Sequence, residues 1–149
     1  MNLYDLISED IKKAMLARDK VKLDTVRGIK KEFLEAKTAK GSDGELSEDV
    51  AIKILNKMAK QRKESADIYI QQNRKDLADE ELAQLAVVES YLPKQLSESE
   101  VEAELKAIIT ETGASSAKEM GKVMGVASKR LNGKADGKLI SEIVKRLLA

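Results

Sequence analysis

Tyr91-Leu92-Pro93-Lys94-Gln95-Leu96-Ser97-Glu98-Ser99-Glu100-Val101 is the stretch that decides how this chain is divided. Pro93, the only proline present, pushes the residue before it into extended backbone, so a helix running into it must stop. Just beyond it, Ser97 and Glu100 have the spacing of a capping box. The hydroxyl accepts from one free amide of the new helix and the carboxylate reaches back to another. Leu96 and Val101 fall at the two positions of a hydrophobic staple around that box. A helix stop and a helix start therefore lie within a few residues of each other. The expected architecture is all-α: an N-terminal helical domain of about four helices over residues 1–93, then a small three-helix tail domain over residues 94–149.

Working back from Pro93, apolar residues recur at helical spacing. A fourth helix is expected from about Leu77 to Tyr91 through Leu82, Leu85, Ala86 and Val88. A long third helix, about Glu48 to Gln72, opens at a Ser47 cap with Glu48 and Asp49 at the positive end of its dipole. Its stripe is Ala51, Leu55, Met58, Ala59, Ala66 and Ile70, and Arg62 falls in line with it. That position predicts partial burial of Arg62 against a carboxylate, for which Asp79, Glu80, Glu81 and Glu89 are the candidates, or against a partner. Lys57, Lys60 and Lys63 surround it, either as a solvated face or as part of a partner-binding surface. Gly41-Ser42-Asp43-Gly44 is a loop. Before it, two helices are separated by a break near Asp19. The first carries Leu3, Leu6, Ile7, Ile11, Ala14 and Met15; the second carries Leu23, Val26, Ile29, Phe33 and Leu34.

Forward from Ser97, the first tail helix should stop at Gly113, a glycine placed to take the left-handed conformation that ends helices. Ser116 with Glu119 is a second capping box, opening a helix to about Leu131, and Asp136 can cap a last helix from Gly137 to Leu148. The middle tail helix has one face of Met120, Val123, Ala127 and Leu131. Its opposite face holds Lys118, Gly121, Lys122, Gly125 and Lys129. A glycine in a helix costs about 1 kcal/mol against alanine, so two of them call for a reason. Either they let a neighbouring helix pack close, or bare backbone flanked by lysines admits an RNA sugar-phosphate strand. Gly133-Lys134-Ala135-Asp136-Gly137-Lys138 is either an ordinary turn and cap or a single phosphate contact helped by Lys134 and Lys138.

Composition removes most catalytic classes from consideration. The chain has no His, Cys or Trp, so the usual general base, thiolate nucleophile and zinc sets are missing. No catalytic residue, metal site or cofactor is expected. Lysines, arginines and acids nearly balance, leaving a net charge of +1, so no global field draws the chain to a membrane or to nucleic acid. No apolar run approaches membrane-spanning length. The start, Met1-Asn2-Leu3-Tyr4-Asp5, lacks the order of an export leader. With no cysteine either, a cytoplasmic location is expected.

Four motifs carry a resemblance across essentially the whole chain: Gln61-Arg62-Lys63-Glu64-Ser65-Ala66, Tyr91-Leu92-Pro93-Lys94-Gln95-Leu96-Ser97, Met120-Gly121-Lys122-Val123-Met124-Gly125, and Gly133-Lys134-Ala135-Asp136-Gly137-Lys138. In this order they resemble the YqeY family. That family is similar to the C-terminal region of GatB, the B subunit of the amidotransferase that converts Glu-tRNA(Gln) to Gln-tRNA(Gln). The resemblance implies a helical domain with a three-helix tail, and a region that helps hold tRNA while the chemistry lies elsewhere. It makes tRNA or a tRNA-dependent amidotransferase the expected partner. The contacts would come from Lys118, Gly121, Lys122, Gly125, Lys129, Arg130, Lys134 and Lys138. A second function is a helical protein-interaction module working through Lys57, Lys60, Arg62 and Lys63. A third, carbon-nitrogen ligase activity with glutamine as amido donor, comes from the resemblance alone.

Overall fold

The computed structural model of the chain describes residues 2–149. Met1, with which both the leader reading and the expected first domain begin, lies outside them. The described residues form seven α-helices and a short 3-10 turn, with no strand. They gather into two compact units that meet in sequence between Leu92 and Pro93.

The first unit contains α1 (Leu3–Ala17), α2 (Lys20–Thr38), α3 (Glu48–Gln71) and α4 (Lys75–Glu89). α1 lies on α2, α3 runs along α4, and α2 touches both α3 and α4. Asn2, Asp19 and Ser47 cap the first three helices, each side chain accepting from an amide in the first turn. α1 ends at Arg18, which takes the left-handed conformation at φ 55°. A side chain there costs about 1 kcal/mol, and the turn is closed by backbone bonds to Ala14 and Met15. The core is Ile7, Val26, Ile29, Phe33, Ala51, Leu55, Met58, Ala59, Leu85 and Val88. Each large side chain buried here stabilises the unit by about 1.5–3 kcal/mol relative to exposure. Tyr91 closes the unit by donating from its hydroxyl to the Asp10 carboxylate. Burial, with that hydrogen bond, pushes its phenol well above the usual range.

Five residues assigned to apolar stripes stand in solvent instead: Met15, Leu34, Ile70, Leu82 and Ala86 are all exposed. Helical periodicity gives the side of a helix that is apolar, not how much of that side a neighbour covers. Thr25, absent from the expected stripe, is buried because its hydroxyl donates to the Val21 carbonyl at 2.7 Å and leaves no unmet polar group.

The second unit, Pro93–Ala149, contains α5 (Glu98–Thr112), the 3-10 turn Ala117–Glu119, α6 (Met120–Arg130) and α7 (Gly137–Leu147). The three helices pack on one another around Val101, Leu105, Ile108, Val123, Ala127, Leu131, Ile140, Ile143 and Val144. The capping box forms: the Ser97 hydroxyl accepts the Glu100 amide at 3.2 Å, and the Glu100 carboxylate accepts the Ser97 amide at 3.1 Å. Leu96 packs on the same core as buried Val101, as a staple requires. Gly113 ends α5 at φ 71°. Asp136 caps α7 by accepting the Lys138 amide at 3.1 Å.

One local expectation changes. The helix read from Ser116 begins as a 3-10 turn and becomes α-helical only at Met120. The Glu119 carboxylate reaches back to the Ser115 and Ser116 amides, while the Glu119 amide bonds the Ser116 carbonyl at 3.0 Å. Those bonds tighten the first turn to three-residue spacing.

Candidate nucleic-acid interface

The α6 turn spacing and the lysines on it create one open face. Val123 and Ala127 are buried in the unit's core. The α6 residues at the complementary spacing, Gly121, Lys122, Gly125 and Lys129, are all exposed, as is Lys118 in the 3-10 turn before them. A Cβ added at Gly121 or at Gly125 would meet nothing within 4 Å. Close approach of a neighbouring helix therefore does not explain the two glycines, and that reading is set aside. Both mark stretches of helix where the backbone is covered by no side chain.

The charges on this face are not equivalent. Lys122 donates from Nζ to the Thr112 carbonyl at 2.9 Å, satisfying a terminal acceptor of α5. Arg130 forms a two-pronged pair with Glu111, Nη1 lying 3.1 Å from Oε1 and Nη2 on Oε2. That pair holds the Glu111 carboxyl below its usual range. The carboxyl of Glu119 is lowered too, chiefly by the Ser115 amide, then by the Ser116 amide and the charge on Lys122. Lys118, Lys129, Lys134 and Lys138 make no side-chain hydrogen bond or ion pair among the described residues, so their ammonium groups are available to an anion. The two acids that interrupt the basic run from Lys118 to Lys138 are Glu119 and Asp136, and both are engaged as caps.

The turn after α6 is held in shape by the segment that follows Pro93. Gly133 is buried with φ 77°, a conformation that suits glycine. Its carbonyl accepts from the Gln95 side-chain amide, which also donates to the Pro93 carbonyl at 3.2 Å. Alongside, the Leu96 amide donates to the Lys134 carbonyl at 2.8 Å. Two of the motifs quoted from the sequence are thus hydrogen-bonded to each other, and Gln95, the residue that joins them, was not singled out by sequence reasoning. Its only signal was its place between Pro93 and the capping box. The phosphate reading of the turn itself weakens, since Asp136 occupies a first-turn amide of α7 with a like charge.

On α3, Lys57, Lys60 and Lys63 are exposed and Arg62 is half-buried. Arg62 turns inward, as its place in the stripe predicts, but its partner is not a carboxylate. Nε donates to the Gln84 side-chain oxygen at 3.2 Å and Nη1 to the Met58 carbonyl at 3.2 Å. The acids Asp79, Glu80, Glu81 and Glu89 do not take it, because Gln84 is the α4 residue that α3 brings opposite. Arg62→Ala should therefore destabilise the N-terminal unit by about 1–2 kcal/mol, the net worth of a charged donor's bond to Gln84, while the Met58 carbonyl keeps its helical partner, the backbone amide of residue 62. Urea unfolding followed by helix ellipticity measures it.

These features define an all-α protein of two compact helical units, one of which carries a lysine-lined helix face with two uncovered glycines. It belongs to the YqeY-like protein family, whose model matches residues 4–148. Among curated relatives it is similar to "Altered inheritance of mitochondria protein 41, mitochondrial" of Lachancea thermotolerans, at 32% identity over 70% of this chain and 57% of that protein. The proteins of the same name in Kluyveromyces lactis and Pyrenophora tritici-repentis are 32% and 30% identical, over 70% and 95% of this chain and 57% and 78% of theirs. The chain spans a little over half the length of the first two. The cytoplasmic expectation is corrected by these matches, since the relatives are named as mitochondrial proteins. Lack of cysteine does not separate the cytosol from other reducing compartments. No helix among the described residues is long and apolar enough to cross a membrane.

Proposed function

We propose that the C-terminal unit binds the sugar-phosphate backbone of a structured RNA, with tRNA as the RNA implied by the likeness to the GatB tail. The observation that carries this is the exposed α6 face, where Gly121 and Gly125 leave open space between Lys118, Lys122 and Lys129. A strand lying there meets helix backbone directly and finds cations on both sides. Lys134 and Lys138 extend the basic surface beyond α6. The tail has no aromatic residue, so bases cannot stack on it, and recognition rests on shape and phosphate positions. Service as an adaptor for a tRNA-dependent amidotransferase would follow from such binding. With Arg62 turned into α4, the protein-interaction reading is left with Lys57, Lys60 and Lys63, which a solvated face accounts for.

Mobility shift with tRNA across a salt series tests this. Affinity should fall with salt at a log–log slope of about −3, as expected for roughly four phosphate contacts. Lys118→Glu with Lys129→Glu should weaken binding at least about tenfold at low salt and flatten that slope by about 1 or more. These two lysines are the better targets because Lys122 and Arg130 already have internal partners. Absence of binding at low salt, or binding indifferent to the double variant, would sink the proposal.

A further inference from the structure

The turn between α1 and α2 carries an exposed apolar tip inside a basic rim. Leu16 is 87% exposed, Met15 53% and Val21 39%. Only Arg18 and Asp19 separate the two helices, and backbone bonds from Arg18 to Met15 and from Asp19 to Ala14 close the turn tightly. The three side chains therefore share one end of the hairpin. Lys12 and Lys13 precede Leu16 by one helical turn and flank it; Arg18, Lys20 and Lys22 complete the rim. Among the described residues none of these five cations takes part in an ion pair. The one acid between Lys12 and Lys22 is Asp19, whose carboxylate accepts the Lys22 amide at 3.1 Å. Beyond it, Asp24 lies a turn further along α2, and Glu9 and Asp10 lie one turn back along α1.

Scattered exposed aliphatics need no explanation, but three at one hairpin end ringed by unpaired cations do. We propose that this tip docks the protein on an anionic phospholipid bilayer. The aliphatic side chains enter the acyl boundary and the cations lie against headgroup phosphates. Three side chains cannot supply the roughly 800 Å² per partner of a stable protein interface. There is no aromatic residue among 12–22 on which a base could stack. A bilayer asks for no complementary shape, and it rewards both insertion of apolar groups and proximity of Lys and Arg to its surface. The net charge of +1 conceals this, because the acids nearest the rim, Glu9, Asp10 and Asp24, stand back along the helices from the hairpin end. A surface-bound tip also needs no spanning helix.

The test uses the full chain with vesicles of phosphatidylcholine alone or with about one-third phosphatidylglycerol. Because the sequence has no tryptophan, Leu16→Trp installs a single fluorescent reporter. The chain should sediment with the anionic vesicles and not the neutral ones, less so at high salt, and the tryptophan emission should shift to the blue only with the former. Leu16→Ser with Val21→Ser should weaken anionic-vesicle binding about tenfold without changing the melting curve. Lys13→Gln with Lys20→Gln should weaken it about twentyfold. Failure to sediment, an unshifted emission, or binding lost in the lysine variant but intact in the serine variant would overturn the proposal. So would a blue shift produced by an acidic protein or by RNA and not by vesicles.

Discussion

Replacing Leu105 by alanine is expected to unfold residues 93–149 while residues 2–92 keep their helices. Leu105 is fully buried in the middle of α5, within the core formed with Ile108, Val123 and Val144. Removing such a side chain costs about 2–5 kcal/mol, depending on how far the site collapses. The unit is fewer than sixty residues long, and domains carry only about 0.05–0.15 kcal/mol of stability per residue, with small ones at the low end. The substitution therefore removes most or all of its margin. No buried residue belongs to both cores. Tyr91 and Leu92 pack on the first core and Leu96 on the second. Circular dichroism should show about one-third of the helical signal lost at room temperature, matching α5, α6 and α7, with the remaining transition unmoved. RNA binding should disappear with it. Loss of all helix in one cooperative step would contradict the prediction.

The division of the chain between Leu92 and Pro93 traces to residues whose meaning is local. Pro93, Ser97, Glu100 and Gly113 act through their own backbone and nearest amides, so the sequence shows both where α4 must stop and where α5 starts and ends. Ser47 and Asp136 were legible as caps for the same reason, whereas Asp19, which caps α2, showed in the sequence only as a break. Contacts between distant segments were not. The 22-residue step from Arg62 to Gln84 and the 38-residue step from Gln95 to Gly133 depend on how helices and turns lie against each other. Helical periodicity reveals which side of a helix is apolar; it does not reveal how much of that side is covered, so Met15, Leu34, Ile70, Leu82 and Ala86 fall on apolar stripes yet stand in solvent. At the candidate site the lysines and glycines could be placed on one face from spacing alone. What spacing could not tell is that Lys122 and Arg130 are tied to Thr112 and Glu111, or that the glycines face open space.

Gly121→Ala with Gly125→Ala should make the C-terminal unit more stable and weaken its hold on RNA. Neither methyl meets an atom within 4 Å, and neither glycine has a positive φ, so alanine is accommodated without strain. Each exchange in an exposed helix favours the folded state by about 0.5–1 kcal/mol, through helix propensity and a less disordered unfolded chain. Gly125, in the helix interior, should contribute more than Gly121, which lies in the first turn of α6. In a domain this small, 1 kcal/mol corresponds to a rise in Tm of about 4–8 °C. The same two methyls stand where a sugar-phosphate strand would touch bare backbone, holding it away from Lys118, Lys122 and Lys129. Affinity for tRNA should then fall about tenfold while the salt dependence is kept, since no charge has been removed. A damaged fold lowers Tm and affinity together, whereas this variant should move them in opposite directions. If Tm rises and affinity holds, RNA does not need the uncovered backbone and binding rests on the lysines alone. If both move as expected, the instability built into α6 is the cost of keeping that surface open.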